Sequence, residues 1–179
     1  TRSSSVTGVQ TCALPIYQGA FHDPRLQLVI GDGLKYVAES QQQFDLIVLD
    51  LTDPQGYAEP LYTRAFFADC ARLIGEHGLL SLHIGSPQFH ATRFRNLFDE
   101  LKAVFRVVRP MLVPITLYGG FWGMACASQL RDPKRLDANT VEQRLQQRGI
   151  TGLNYYNGDT HQAALALPNF VRQLLQQTE

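Results

Sequence analysis

The segment FDLIVLDLTDP at residues 44–54 decides the fold class of this chain. Its apolar residues 46–49 do not alternate with polar ones, which predicts a strand buried on both faces, as in a parallel α/β sheet. Pro54 cannot continue a central strand, so the chain is expected to leave the sheet there. Ligands of open parallel sheets bind beyond the carboxyl ends of the strands, where Asp50 and Asp53 would lie. These carboxylates suit a cationic ligand or a proton transfer, although Asp50 could equally end the strand and Asp53 begin a turn.

Strands and helices are predicted to alternate on both sides of this segment. This order predicts an α/β fold with a mainly parallel sheet and a terminal antiparallel hairpin, and it resembles the second half of a nucleoside-binding fold. The predicted strands cover residues 26–30, 44–50, 79–84, 104–116 and 121–127, and the predicted helices cover residues 34–40, 61–74, 141–148, 168–177 and a segment capped by Ser86 that ends near residue 103.

Composition limits the function. A chain of 179 residues with 45% hydrophobic residues suits one domain with a real core. Lys+Arg and Asp+Glu both number 16, which argues against a nucleic-acid or membrane-surface partner because both need a basic excess. The 3 cysteines lack metal-like spacing, so we expect no metal site and free thiols in a reducing cytosol.

The first 16 residues, TRSSSVTGVQTCALPI, do not fit the rest of the chain. They show no clear period and resemble a translated sequencing adapter. We therefore expect residues 1–16 to be a foreign segment and residues 17–179 to be a partial catalytic domain from a truncated gene.

Three separate motifs carry a family resemblance that spans residues 21–175. Asp23-Pro24-Arg25 with Gly31-Asp32-Gly33 resembles a D-P-R…G-D-G stretch of the polyamine aminopropyltransferases, the spermidine and spermine synthases. DLTDPQGYA at residues 50–58 resembles their D-S-S-D-P-x-G-P-A, and residues 153–168 resemble their C-terminal Y-Y-N…H-x-A-A-F-x-L-P. All three motifs occur in the family's order.

The resemblance implies a fold like the class I methyltransferases and transfer of an aminopropyl group from decarboxylated S-adenosylmethionine to an amine. Decarboxylated S-adenosylmethionine would be a co-substrate, with no permanently bound cofactor. Amines near neutral pH are mostly protonated, so a carboxylate must hold the cation and then accept its proton. Carried over, Asp50 is the general base beside the donor and Asp53 holds a substrate amino group. Asp32 would accept the adenine amino group, with Gly33 leaving room beside it.

Two positions concern the acceptor amine. His83 falls where putrescine-using relatives often carry glutamine. Residues 113–120 are offset from the family's I-P-T-Y, so either Leu117 or Tyr118 would replace the tyrosine of the amine site. We take His83 and Tyr118 as substrate-binding candidates, and putrescine as the default acceptor, giving spermidine and methylthioadenosine.

The sequence lacks the family's glycine-rich turn and N-terminal β-rich segment, so we expect this chain alone to be inactive and either unstable or prone to aggregate. The complete parent is expected to be a homodimer or homotetramer. Two other functions remain open. An S-adenosylmethionine-dependent methyltransferase would share the fold, although the paired aspartates argue against it. The second open alternative is a non-catalytic domain that resembles spermidine synthase.

Overall fold

A computed structural model describes residues 20–176 of the chain. The chain divides into two compact units, Thr1–Asp32 and Gly33–Glu179. The expectation that residues 1–16 are a foreign segment lies outside the described residues, as does Cys12.

The described part of the N-terminal unit is a short 3₁₀ helix, Ala20–His22, followed by a turn. In the turn, the Asp23 carboxylate accepts hydrogen bonds from the Arg25 backbone N–H at 2.8 Å and from its guanidinium at 3.0 and 2.8 Å. These bonds lower the pKa of Asp23. The predicted strand at residues 26–30 is wrong, since these residues form no regular structure. A strand depends on backbone hydrogen bonds from a neighbour, and apolar composition alone does not supply them.

The C-terminal unit contains one sheet in the order β1-β2-β4-β3. β1 and β2 are parallel, and β4 runs antiparallel to both β2 and β3. Three of the four described strands therefore point the same way, which confirms the α/β class, the mainly parallel direction and the terminal hairpin. The strands are β1 Leu46–Leu49, β2 Leu79–Gly85, β3 Val107–Ile115 and β4 Gly120–Ser128.

Six helices accompany this sheet in the described residues. Two of them, α2 and α3, pack apolar faces against it; the buried residues include Phe67 and Leu73 of α2, and Phe94 and Leu101 of α3. Gly123 in β4 permits the close approach of α3, because a Cβ there would overlap the Phe94 ring. The helices are α1 Gly33–Glu39, α2 Arg64–Ile74, α3 Ala91–Lys102, α4 Ala138–Gln147, α5 Gly158–Leu165 and α6 Asn169–Gln176.

The two faces of the sheet differ in burial. In β2, the fully buried Leu80, Leu82 and Ile84 alternate with half-buried residues that include His83. The prediction that β1 is buried on both faces is wrong: it pairs only with β2 among the described strands, and Leu46 and Val48 are 52% and 59% exposed. The half-buried face is therefore accessible beside β1.

Helix boundaries follow local hydrogen bonds. The Thr63 hydroxyl accepts from the Phe66 backbone N–H and caps α2. Ser86 does not cap α3, contrary to the prediction: its hydroxyl accepts from the N–H groups of Gln88 and Phe89 in a local turn, and the helix begins only at Ala91. Such local turns compete with helix entry.

The region after the sheet contains a helix absent from the predicted elements. Asn157 and Thr160 form a capping box at the start of α5. His161 on this helix takes a structural role: Nδ1 lies 2.9 Å from the Tyr156 hydroxyl and Nε2 lies 2.9 Å from the Pro133 carbonyl. Burial, and secondarily Glu142, raises the pKa of Tyr156. None of the described helices combines the length and hydropathy of a transmembrane span.

Candidate active site

The two aspartates lie on the loop that leaves β1. Asp50 follows the last strand residue, Leu49, and Asp53 lies three positions further along an irregular segment. Both residues line a cleft of about 750 Å³. The cleft opens beyond the carboxyl end of β1, as the topology of a parallel sheet predicts.

Aromatic side chains also line the cleft. His83 of β2 pairs in register with Met124 of β4, and both line the cleft with Trp122 and Tyr118. The rings of Tyr118 and Trp122 have centroids 4.6 Å apart, and those of Trp122 and His83 are 6.1 Å apart. Because β4 runs opposite to β2, its first residues meet the end of β2 and bring Trp122 beside His83. Four of the predicted site residues, Asp50, Asp53, His83 and Tyr118, thus line one cleft.

Hydrogen bonds tie the aspartate loop to the sheet. The Tyr62 hydroxyl donates to the Thr52 carbonyl at 2.8 Å and lies 2.8 Å from His83 Nε2. The same Nε2 lies 2.7 Å from the Leu51 carbonyl. A carbonyl can only accept, so Nε2 carries the proton, and the neutral ring has Nδ1 as its acceptor.

Tyr62 is the most buried polar side chain at this loop, with 5% exposure. Burial, followed by the charges of Asp53 and Asp50, raises the pKa of Tyr62 to about 12. The hydroxyl therefore keeps its proton at physiological pH and stays available as a donor.

Asp53 already has a cationic neighbour. Arg93 of α3 places Nη1 3.2 Å from Asp53 Oδ2. Nη1 is buried and forms no hydrogen bond of good geometry among residues 20–176, so the contact is ionic. The side chains of Asp53 and Arg93 are 44% and 23% exposed, so a ligand can reach the carboxylate.

The two remaining predicted site residues are Asp32 and Gly33, which are consecutive in the sequence at the boundary between the N-terminal and C-terminal units. Asp32 is the last residue of the N-terminal unit. Gly33 is the first residue of α1, and a Cβ there would have nothing within 4 Å. Packing therefore does not demand glycine at this position.

Sequence reasoning misses three residues of the site. Trp122 is expected from the sequence to be an ordinary core aromatic, but it lines the cleft and is only half-buried. Tyr62 and Arg93 belong to no predicted site, and their partners lie 10 to 40 positions away in sequence (Thr52, His83 and Asp53). The available signal is weak: a buried tyrosine hydroxyl needs a hydrogen-bond partner, and a loop with two aspartates favours a nearby cation.

The arrangement suits a cationic amine. Two carboxylates and several aromatic rings line the same cleft, and both kinds of group attract positive charge. When the His83 ring is neutral, its Nδ1 is an acceptor and adds a third favourable group. A carboxylate at such a position can also take a proton from a bound ammonium.

Comparisons with known proteins match this chain to one family. A sequence model of the spermine/spermidine synthase domain matches residues 5–136. The polyamine aminopropyltransferase of Nitrosomonas europaea is 48% identical over 160 residues, covering 89% of this chain and 49% of that protein. The chain spans about half the length of the curated relatives it matches.

Solved structures give the same result. A spermidine synthase in complex with the transition-state analogue AdoDATO superimposes with a TM-score of 0.79 at 32% identity, covering 96% of this chain and 59% of that one. Human methyltransferase-like protein 13, in complex with SAH, has a TM-score of 0.51 at 17% identity, over 94% of this chain and 69% of that one. The second likeness shows only that the fold is related to that of the methyltransferase.

Proposed function

The chain belongs to the spermine/spermidine synthase family, and from that membership we propose that its cleft binds a polyamine and serves the transfer of an aminopropyl group to it from decarboxylated S-adenosylmethionine. The observation that carries the proposal is the placement of Asp50 and Asp53 in one cleft with His83, Tyr118 and an aromatic wall. The default acceptor is putrescine, which would give spermidine and methylthioadenosine.

The acceptor end of the reaction follows from the charges. An amine enters as an ammonium ion, which Asp53 and the aromatic rings hold in the cleft. Holding both substrates in one orientation removes much of the entropic barrier. Asp50 takes a proton from the nitrogen that will attack, which frees its lone pair.

The bond changes balance without another reactant. The free nitrogen attacks the propyl carbon bonded to the sulfonium sulfur, forming a C–N bond as the C–S bond breaks. The electron pair of the broken bond neutralises the sulfonium and leaves a thioether, methylthioadenosine. The nitrogen, now carrying an extra bond, is a secondary ammonium ion, and Asp50 releases to solvent the proton that it took up before the attack.

The donor end rests on the resemblance of the Gly31-Asp32-Gly33 turn. Asp32 would accept a hydrogen bond from the adenine amino group, and Gly33 would leave space beside the base. Asp50 would also lie near the sulfonium, so its charge would serve both substrates.

Asp50→Asn tests the proposal in the protein expressed from its complete gene. Asparagine keeps the shape but cannot accept the proton, so we expect turnover to fall about 10²- to 10⁴-fold. Binding of methylthioadenosine, measured by calorimetry, should change less than about threefold, because general-base catalysis does not determine the affinity for a product nucleoside.

Asp45→Asn is the matched control, because Asp45 is an exposed aspartate at the other end of β1. Its turnover should equal that of the unmodified protein. Near-normal turnover in Asp50→Asn would remove Asp50 from the role of base. Transfer of a methyl group from S-adenosylmethionine, with none from the decarboxylated donor, would favour the methyltransferase alternative.

A further inference from the structure

The loop between the two aspartates is held by its backbone. Leu51 and Thr52 are the residues between Asp50 and Asp53, and each offers a carbonyl oxygen to a side chain outside the loop. His83 Nε2–H donates to Leu51 at 2.7 Å, and the Tyr62 hydroxyl donates to Thr52 at 2.8 Å. Both residues between the two carboxylates are therefore anchored by donors outside the loop.

The two donors also bind each other. Nε2 and the Tyr62 hydroxyl oxygen are 2.8 Å apart. The hydroxyl proton goes to Thr52, so the oxygen is free to accept from Nε2–H. The imidazole proton is thus shared between Leu51 and Tyr62, and Nδ1 is left as the acceptor on a ring that lines the cleft.

We propose that Tyr62 is a positioning residue for the transfer reaction, fixing the Asp50–Asp53 loop and the orientation of the His83 imidazole for an incoming ammonium ion. This inference rests on the proposed function of the cleft. Tyr62 does not touch the substrate, because it is 5% exposed and is not among the residues that line the cleft. It acts through two groups that do line it, His83 and the aspartate loop.

The burial of Tyr62 supports this role. A buried hydroxyl without partners would be destabilising, and here both its donor and its acceptor functions are used within the site. The charges of Asp53 and Asp50 contribute, after burial, to the raised pKa of Tyr62. Any displacement of the loop would alter all of these contacts together.

The test compares Tyr62→Phe with Tyr57→Phe in the protein expressed from its complete gene. Tyr57 is the matched control, because it belongs to the same 3₁₀ helix, Gly56–Tyr62, and is fully exposed. For Tyr62→Phe we expect kcat/KM for putrescine to fall about tenfold to a hundredfold, with the KM for decarboxylated S-adenosylmethionine changed less than about twofold. Tyr57→Phe should leave both values unchanged.

A spectroscopic measurement distinguishes a change in the orientation of the His83 imidazole from a general loss of structure. ¹⁵N NMR of the imidazole nitrogens, recorded near pH 9 and assigned to His83 with His83→Gln, should show a proton on Nε2 in the unmodified protein. The His83 nitrogen signals should move in Tyr62→Phe and stay in place in Tyr57→Phe. A loss of folding would instead shift the signals of other histidines as well, and circular dichroism would detect it.

The outcomes separate this inference from the proposed function. If the unmodified protein transfers aminopropyl groups and the two tyrosine variants agree within twofold, the positioning role is overturned while the proposed function stands. If the unmodified protein has no transfer activity, the proposed function fails, and the NMR comparison alone decides whether Tyr62 holds His83. Unchanged His83 signals in Tyr62→Phe would then overturn the inference.

Discussion

Arg93 is a positive charge in contact with Asp53. A cationic substrate must compete with it for that carboxylate. Arg93 Nη1 lies 3.2 Å from the Asp53 carboxylate, at the position proposed for a substrate ammonium. A cationic amine must either share that carboxylate or displace the guanidinium. Arg93 thereby lowers the attraction of Asp53 for any cation, since the two charges partly cancel.

Replacing Arg93 should therefore strengthen amine binding. We expect Arg93→Gln to lower the KM for putrescine about threefold to tenfold, because Asp53 would then be free to pair with the ammonium. Steady-state kinetics at fixed donor concentration measures this, and the effect should shrink as salt is added.

Arg95→Gln is the control for that prediction. Arg95 lies two positions further along α3 and pairs with Asp99 at 3.5 Å, so its loss alters the charge of the same helix without affecting Asp53. Its KM for putrescine should be unchanged. A rise in KM in Arg93→Gln would instead indicate that Arg93 orients Asp53 for the substrate.

Sequence reasoning finds the polar residues that end strands and misses those that support them. Asp50 and Asp53 are identifiable because strand ends of an α/β sheet converge at one edge. Tyr62 and Arg93 come from a 3₁₀ helix and from α3, and their contacts with the loop depend on how these elements pack. Nothing in the local sequence specifies that packing.

The β3–β4 hairpin is held at its open end by an ion pair. Arg109 donates two hydrogen bonds to Asp132, at 2.8 and 2.6 Å, and the carboxylate is only 7% exposed. The hydrogen bonds from Arg109 lower the pKa of Asp132. The unfolded chain therefore binds this proton more readily than the folded one. The resulting stabilisation is complete above the unfolded value of about 4 and is lost as the pH falls through the lower folded value.

Asp132→Asn should remove both the stabilisation and its pH dependence. We expect the free energy of unfolding at pH 7 to fall by about 1–3 kcal/mol, because Arg109 loses a charged acceptor. Below pH 4 the difference from the unmodified protein should narrow. Urea denaturation at a series of pH values measures both effects.

The control is Asp99→Asn, which breaks an i,i+4 ion pair on α3 between Arg95 and the exposed Asp99. Pairs of this kind contribute about 0.3–0.5 kcal/mol, so the change should be small at every pH. A difference for Asp132→Asn that stays constant down to pH 2 would show that the ionised carboxylate is not the source of the stabilisation.

The order of strands and helices is largely predictable from the sequence, and several boundaries are not. Apolar and β-rich segments locate β2, β3 and β4, and apolar residues at helical spacing locate the packed faces of α2 and α3. The prediction of a strand at residues 26–30 is wrong because its composition suits a strand, whereas pairing with a neighbouring strand depends on tertiary structure. The predicted start of α3 is wrong because the Ser86 hydroxyl accepts hydrogen bonds within a local turn. The Ser-Pro pattern alone does not distinguish such a turn from a helix cap.

The sheet of the C-terminal unit carries an apolar edge. β1 is an edge strand among those described, and Leu46 and Val48 on it are more than half exposed. An open edge with apolar side chains favours pairing with another chain. We expect the 179-residue chain to self-associate, which sedimentation velocity at several protein concentrations measures.

Leu46→Lys should reduce that association, since a lysine on an edge strand opposes intermolecular pairing. Leu130→Lys is the control, because Leu130 is 48% exposed, close to the 52% of Leu46, and lies outside the sheet. Equal sedimentation of both variants and the unmodified chain would show that the β1 edge is not the contact.

The position of β4 between β2 and β3 has a consequence for synthesis on the ribosome. β4 lies between β2 and β3 in the sheet, yet it is the last of the four described strands to leave the exit tunnel. Until residue 128 has emerged, β2 and β3 cannot be joined, and the aromatic wall that Trp122 provides does not exist. In the nascent chain, β2 and β3 therefore lack their shared neighbour until β4 has emerged. The cleft forms when β4 completes the sheet.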